Sequence, residues 1–203
     1  ALALEPAHLS LYALSVEPGT PLAAQIARGL CPAPDPDLAA DMYELAEELC
    51  GAAGYLHYEI SNWARSDDLR CQHNLIYWRN EPYLGIGAGA HSWSRGKRST
   101  NVAHPATYAQ RLSIGQSPVT WEEEIDRPLE MGETMMMGLR LLDEGVPFRR
   151  FQARFGTDLR DVYPSQISDL AARGLVALTP DCIRLTTRAH LIANQALYPF
   201  LPD

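Results

Sequence analysis

The densest group of reactive side chains lies between Cys71 and Trp78, where the sequence reads CQHNLIYW. This stretch combines a thiol, an imidazole, an amide and two amphipathic aromatic rings. Cys71 and His73 stand two residues apart, and thiolate and imidazole groups bind soft metals and porphyrin iron. A lone histidine is often a hydrogen-bonded structural residue, and paired aromatics often line a core. The pattern therefore leaves a ligand site and a structural segment both open.

Glycine occupies every second position from Gly85 to Gly89. A strand with this pattern has one face of side chains and one of bare backbone, which suits the close approach of a ligand or of another chain segment. The run is not GxGxxG and no GK[ST] follows it, so a dinucleotide site and a P-loop are both poor interpretations. The sequence predicts a strand here, with tight packing as the alternative explanation of its glycines.

The string HNLIYW matches the HNxxYW signature of the HemW family of heme chaperones, which resemble oxygen-independent coproporphyrinogen III oxidases of the radical SAM superfamily. Other stretches resemble the family's successive landmarks in the same order, namely HLSLYALSVEPGT from His8, YEISNWA from Tyr58 and GIGAGAHS from Gly85. The resemblance runs along nearly the whole chain. It implies the C-terminal half of a HemW-like protein.

This resemblance also assigns roles to residues. It points to the signature for heme, with an imidazole or a thiolate as the iron ligand, two rings that shield a porphyrin face and an amide that fixes the geometry. The heme residues implied are His73, Asn74, Tyr77, Trp78 and Cys71. For S-adenosyl-L-methionine (SAM), similarity to the oxidase branch implies Ser15, Gly85, Gly87, Gly89 and His91, with contacts of the backbone type.

The iron-sulfur cluster of the family is held by a CxxxCxxC run, and this chain has no such run. Its four cysteines are Cys31, Cys50, Cys71 and Cys182. We therefore expect no 4Fe-4S cluster in this chain, no activity of the chain alone, and an absent N-terminal half as its first partner. The unpaired edge of an incomplete barrel would also favour self-association through the strand at His8 to Val16 or its neighbour.

Composition limits the partners. The chain has 203 residues, of which 46% are hydrophobic and 21% charged, with a formal net charge of −8. An acidic surface is unsuited to nucleic acid, which needs basic patches. No apolar run reaches the roughly 20 residues that span a bilayer, no signal peptide is visible, and scattered cysteines suit a reducing compartment. We expect a cytoplasmic protein with no integral membrane segment.

The predicted fold is α/β followed by α. Strands at His8 to Val16 and Tyr55 to Ser61, a helix from an N-cap at Asp37, and the glycine strand follow the βαβ rhythm of a parallel sheet. By resemblance, residues 1–92 are the last strands of a partial (β/α) radical SAM barrel and 93–126 an irregular connection. Residues 127–203 are a mainly helical HemN-type domain with a winged-helix-like hairpin.

The sequence is compatible with two functions. One is a chaperone that binds heme and transfers it to a recipient protein. The other is an oxidase that decarboxylates coproporphyrinogen III by radical SAM chemistry. The intact HNLIYW favours the chaperone, because that signature marks the chaperone branch. A structural module without activity of its own is the third reading.

Overall fold

The computed structural model describes residues 1–202, and Asp203, the last residue of the predicted helical domain, lies outside them. The chain divides into two compact units, the first from Ala1 to Arg70 and the second from Cys71 onward. Each unit combines helices with small sheets. Every strand pairing in the described part of the chain is antiparallel.

The first unit packs two helices with a three-stranded sheet. Its strand order is β1-β3-β2, so β1 and β2 both pair with the central β3. Buried Cys50, Tyr55 and Trp63 form its small core. The elements are β1 (His8–Ser10), α1 (Pro21–Ala27), α2 (Pro36–Ala52), β2 (Leu56–Glu59) and β3 (Asn62–Ala64), with single 3₁₀ turns at Leu2–Leu4 and Asp67–Leu69.

The predicted parallel layer is wrong for the described strands. Asn62–Ala64 lies between β1 and β2 and runs against both, and nothing in its three residues predicted a central strand. The predicted strand at His8 to Val16 ends at Ser10, and Leu14 beyond it is exposed. The predicted helix exists but begins earlier, because Asp35 rather than Asp37 accepts the backbone N–H bonds of the first turn.

The second unit opens with a short helix and a polar three-stranded sheet of order β4-β5-β6. The predicted irregular connection at 93–126 therefore contains two and a half strands. These strands were not predicted because their residues are polar. The turn that joins β4 to β5 is Arg95-Gly96, and both of its residues have positive φ. The elements are α3 (Gln72–Trp78), β4 (His91–Ser94), β5 (Lys97–Asn101), α4 (Pro105–Ser113) and β6 (Val119–Glu124).

Helices dominate the rest of the second unit, as the sequence predicts. The helical segment from Leu159 to Ala172 is interrupted at Tyr163, because Pro164 begins a new helix. The predicted hairpin is confirmed, and it gains a third short strand, β7. The elements are α5 (Arg127–Gly138), β7 (Val146–Pro147), α6 (Phe148–Phe155), α7 (Leu159–Val162), α8 (Pro164–Ala172), β8 (Val176–Leu178), β9 (Cys182–Leu185) and α9 (Ala193–Leu197), with 3₁₀ turns at Thr187–Ile192 and Tyr198–Phe200.

The methionines of α5 serve packing. Met131 and Met135 are buried, and Leu139 just beyond the helix is fully buried. Gly132 lets the chain end approach, because a Cβ there would lie 2.5 Å from the carbonyl oxygen of Phe200. Helix α5 is thus the central packing element against which the candidate site is built.

Candidate functional site

The HNLIYW signature lies on the seven-residue helix α3. Cys71 is its N-cap residue, although the thiol makes no capping bond. The helix ends where Asn80 adopts φ 51°, a left-handed conformation that asparagine tolerates better than most residues. The N–H of Glu81 then donates to the carbonyl oxygen of Ile76, which closes the turn. A helix was not predicted here, because seven residues with two aromatics give too little periodicity.

His73 and Tyr77 lie one turn apart on the same face of α3. Their ring centroids are 4.8 Å apart and the rings are nearly perpendicular, at 87°. Tyr77 meets Tyr83 in the same manner, at 4.6 Å and 74°. His73 itself is exposed and has no hydrogen bond or ion pair among the described residues. The three rings form an aromatic ladder whose outer end is an accessible imidazole.

Trp78 faces a different partner. The guanidinium of Arg140 lies 5.4 Å from the centre of the indole ring, a cation–π contact. The indole Nε1 is buried and has no acceptor within residues 1–202. Asn74 and Cys71 are half-buried at the start of the helix. Of the predicted heme residues, the structure therefore brings His73 and Tyr77 into direct contact and directs Trp78 to Arg140.

The C-terminal end of α3 is fixed to α5 and α6 by polar contacts. The Asn80 side-chain amide donates to Thr134 Oγ1 at 3.1 Å, in a buried bond. Arg154 donates to the carbonyl oxygen of Asn80 at 2.7 Å and pairs with Glu130 at 2.6 Å. The helix that carries His73 is therefore held at one end by groups from two other helices.

Arg79 binds Glu144 through two hydrogen bonds, of 3.1 and 2.7 Å, and Arg150 binds the same carboxylate. Burial alone would raise the pKa of Glu144, but the hydrogen bonds from Arg79 and Arg150 outweigh it and hold that pKa below its usual value. Glu144 is consequently ionised at neutral pH and links the end of α3 to the segment between α5 and β7.

The glycine run is a tight loop and not a strand, which corrects the sequence prediction. Only Tyr83 forms a bridge, with Trp93, and the chain then turns at Gly87 and Gly89, whose φ values are 115° and 69°. Gly85 has a different reason to be glycine, because a Cβ there would lie 2.0 Å from the carbonyl oxygen of His91. Alternation alone could not separate these causes from a strand.

Side chains that the sequence did not single out hold this loop in place. Asn101 is buried and donates its amide to the carbonyl oxygens of Gly85 and Gly87, at 3.2 and 3.0 Å. The N–H of Gly85 donates to Ser92 Oγ, and that of Gly87 donates to the Tyr108 hydroxyl. No sequence signal marked Asn101, because it is the last residue of β5, a polar strand that was not predicted.

Comparisons with known proteins agree along the chain. Residues 125–192 match the family model described as the HemN C-terminal domain. The heme chaperone HemW of Bacillus subtilis (strain 168) is 35% identical over 203 residues, which cover 100% of this chain and 53% of that protein. The heme chaperone HemW of Mycobacterium tuberculosis (strain CDC 1551 / Oshkosh) is 37% identical over 194 residues, 96% of this chain and 47% of that protein.

The fold also matches a solved structure, that of coproporphyrinogen III oxidase (HemN) from Escherichia coli, a radical SAM enzyme. The TM-score is 0.69 across 98% of this chain and 48% of that one, at 17% identity, which shows a shared fold. Along its whole length this chain is similar to the heme chaperones named HemW, and residues 125–192 match the HemN C-terminal domain. It spans about half the length of the curated relatives it matches. The resemblance seen in the sequence is confirmed.

The residues implied for SAM do not lie in one unit of this HemW-like chain. Ser15 is exposed in the first unit, after β1, whereas the glycines and His91 belong to the second. The Nδ1 of His91 lies 3.0 Å from Thr100 Oγ1 on the neighbouring strand. The N–H groups of Gly85, Gly87 and Gly89 all have acceptors within the unit, so a cofactor at these N–H groups would have to displace existing bonds.

The donor set fits heme better than SAM. Heme iron binds an imidazole nitrogen, and His73 presents its imidazole at the surface beside a tyrosine ring. Cys71 presents a half-buried thiol at the start of the same helix. No helix within residues 1–202 is long and apolar enough to cross a membrane.

Proposed function

We propose that this chain is the C-terminal half of a HemW-like protein that binds heme and transfers it to a recipient protein. The observation that carries the proposal is the exposed His73 on α3, in ring contact with Tyr77 within an intact HNLIYW signature. Identity of 35% to a heme chaperone along the full chain supports it. His73 binds the iron, while Tyr77 and Trp78 limit access of water to the porphyrin and Asn74 orients it.

SAM and the 4Fe-4S cluster belong, in this proposal, mainly to an N-terminal half. When bound, they would supply the reducing or radical chemistry of the radical SAM class. This chain would offer Ser15, the glycine loop and His91 to SAM through the loop backbone. Its cysteines are separated by 19, 21 and 111 positions, taken from numbers 31, 50, 71 and 182, so none of their spacings repeats CxxxCxxC.

The proposed architecture follows the same resemblance. Residues 1–92 close a partial (β/α) barrel, 93–126 connect, and 127–203 form the HemN-type domain with a winged-helix-like hairpin. One observation supports the assignment of the C-terminal domain. The order of α6, α8, β8 and β9 is helix, helix, hairpin. The acidic charge favours a protein contact for this hairpin over nucleic acid.

Hemin titration tests the chaperone proposal. Wild type should give a shifted Soret band that saturates at one heme per chain. His73→Ala should alter that band and lower the affinity, while apolar burial of the porphyrin keeps some binding measurable. Cys71→Ala should leave the band unchanged, because the imidazole is the ligand.

His104→Ala is the matched control, because His104 is also an exposed histidine at the start of a helix and makes no capping bond. It should titrate as wild type does. If His73→Ala keeps both affinity and spectrum, His73 is structural and the heme lies elsewhere. A thiolate-type spectrum that is lost in Cys71→Ala would assign the iron to Cys71 instead.

The alternative function is that of a coproporphyrinogen III oxidase. The shared fold with the E. coli enzyme is the observation that favours it. An assay of the decarboxylated product, made with the longer protein that carries a cluster, separates the two proposals. Product formation that depends on SAM would support the oxidase, whereas heme transfer without such product would support the chaperone.

A further inference from the structure

Two large aliphatic side chains stand almost wholly in solvent beside the aromatic ladder. Leu84 is 79% exposed and Ile86 is 89% exposed, more than any other leucine or isoleucine described in the second unit. Single exposed aliphatic residues need no explanation, whereas apolar residues grouped on a fixed segment mark a surface that a ligand or a partner covers. The question is what covers them.

The loop that carries these side chains is rigid. Four hydrogen bonds fix the backbone on both sides of Ile86: the Asn101 amide donates two, and the hydroxyl oxygens of Ser92 and Tyr108 accept one each. The Cβ position of Gly85 is filled by the backbone of His91, so the chain between the two aliphatic residues cannot retreat into the protein. Their exposure is thus built into the loop.

The loop is joined directly to the heme signature. Tyr83 immediately precedes Leu84, and its ring meets that of Tyr77, which in turn meets His73. Main-chain bonds between Tyr83 and Trp93, of 2.8 and 3.0 Å, hold this junction. The signature helix supplies a ligand and aromatic edges but few exposed aliphatic groups. A porphyrin needs a broad apolar contact in addition to its iron ligand.

We propose that Leu84 and Ile86 form the apolar wall of the heme site, against which one porphyrin face lies while His73 binds the iron. This inference rests on the proposed heme function and adds two residues to its site.

Two porphyrin probes test this wall separately from the iron ligand. Leu84→Ser/Ile86→Ser should weaken both hemin and metal-free protoporphyrin IX by about tenfold or more, because the wall contacts the ring and not the metal. The Soret position of bound hemin should not change in this variant. His73→Ala should affect hemin and its spectrum, with little effect on the metal-free ring.

Leu178→Ser/Leu191→Ser is the matched control, because both leucines are exposed at 45% and lie in the hairpin region. It should bind both probes as wild type does, and circular dichroism should show that both double variants are folded. Suppose that Leu84→Ser/Ile86→Ser binds hemin and protoporphyrin IX as wild type does, while His73→Ala changes hemin binding. The proposal of an apolar wall would then be wrong, and the proposed heme function would be supported. If wild type binds neither probe, both proposals fail.

Discussion

Three glycines in the same run have three different physical reasons. Gly85 has no space for a side chain, whereas Gly87 has open space but a φ of 115°, and Gly89 closes the turn at 69°. The regular spacing of these glycines predicts a strand. The correct inference, that backbone approaches closely here, was available, but the identity of the approaching segment depends on folding contacts with His91 and Asn101.

Gly85→Ala should destabilise the second unit. A Cβ at 2.0 Å from the His91 carbonyl oxygen cannot be accommodated without moving backbone, so we expect a loss of about 1 to 3 kcal/mol in the free energy of unfolding. Urea unfolding followed by circular dichroism measures it. Gly51→Ala is the control, because Gly51 lies within α2 with nothing within 4 Å, and alanine there should stabilise by about 0.5 to 1 kcal/mol. Equal stability of Gly85→Ala and wild type would show that the loop can shift.

The signature residues show what a family motif can and cannot predict. His73, Asn74, Tyr77 and Trp78 were identified from the sequence, and the structure places them on one helix. The residues that they contact were not predicted, because Arg140 and Tyr83 belong to other parts of the chain and a motif carries no information on tertiary contacts. The contact between Tyr77 and Tyr83 is what joins the helix to the glycine loop.

At the scale of elements, caps and periodicity predicted the helices well. Strands made of polar residues were not predicted. Helices α4, α6 and α8 each begin at a proline or directly after one, as the first turn of a helix allows. Strands β5 and β6 were missed, because KRSTN and VTWEEE contain few buried residues and are stabilised by pairing, including Lys97 with Glu124. Cross-strand charge pairs of this type are visible only once the register is known.

The attachment of α3 should depend on pH through Glu144. Its pKa is depressed in the folded state, so the stabilisation is complete above the usual value of 4.5 and is lost as pH falls through the lower folded pKa. Glu144→Gln should lose about 1 to 3 kcal/mol of unfolding free energy at pH 7, because the side chain is 17% exposed and binds two arginines. Its difference from wild type should shrink as the pH is lowered below 4.5.

Denaturant unfolding at a series of pH values measures this difference. Asp169→Asn is the comparison, because Asp169 pairs with Arg173 one helical turn away and both side chains are exposed. That pair should contribute less than about 0.5 kcal/mol at any pH. A Glu144→Gln difference that stays constant down to acid pH would mean that the carboxylate charge does not secure α3.

At the scale of the whole molecule, the first unit leaves much apolar surface uncovered. Tyr12 and Leu14 are exposed in the segment after β1, and one face of α2 exposes a row of large apolar side chains, Leu38, Met42, Leu45 and Leu49. The three-stranded sheet has both edge strands, β1 and β2, without a further partner among the described residues. Surfaces of this kind promote association.

We therefore predict that the chain self-associates through the edge at β1 and the segment that follows it. Sedimentation equilibrium should show a reversible increase in mass with concentration. The increase should be stronger at high salt, because two copies that each carry a net charge of −8 repel at low ionic strength. Tyr12→Lys/Leu14→Lys should reduce it, since the change places charge on the exposed edge segment.

The helix face is the rival surface, and Met42→Lys/Leu45→Lys tests it with the same number of added charges. Because both double variants change the net charge equally, any difference between them reports position and not overall repulsion. If only the helix variant dissociates, the interface is α2 and the sheet-edge prediction is wrong. A strictly monomeric wild type at every concentration would mean that three short antiparallel strands are too small an edge to recruit a second copy, despite the apolar residues around them.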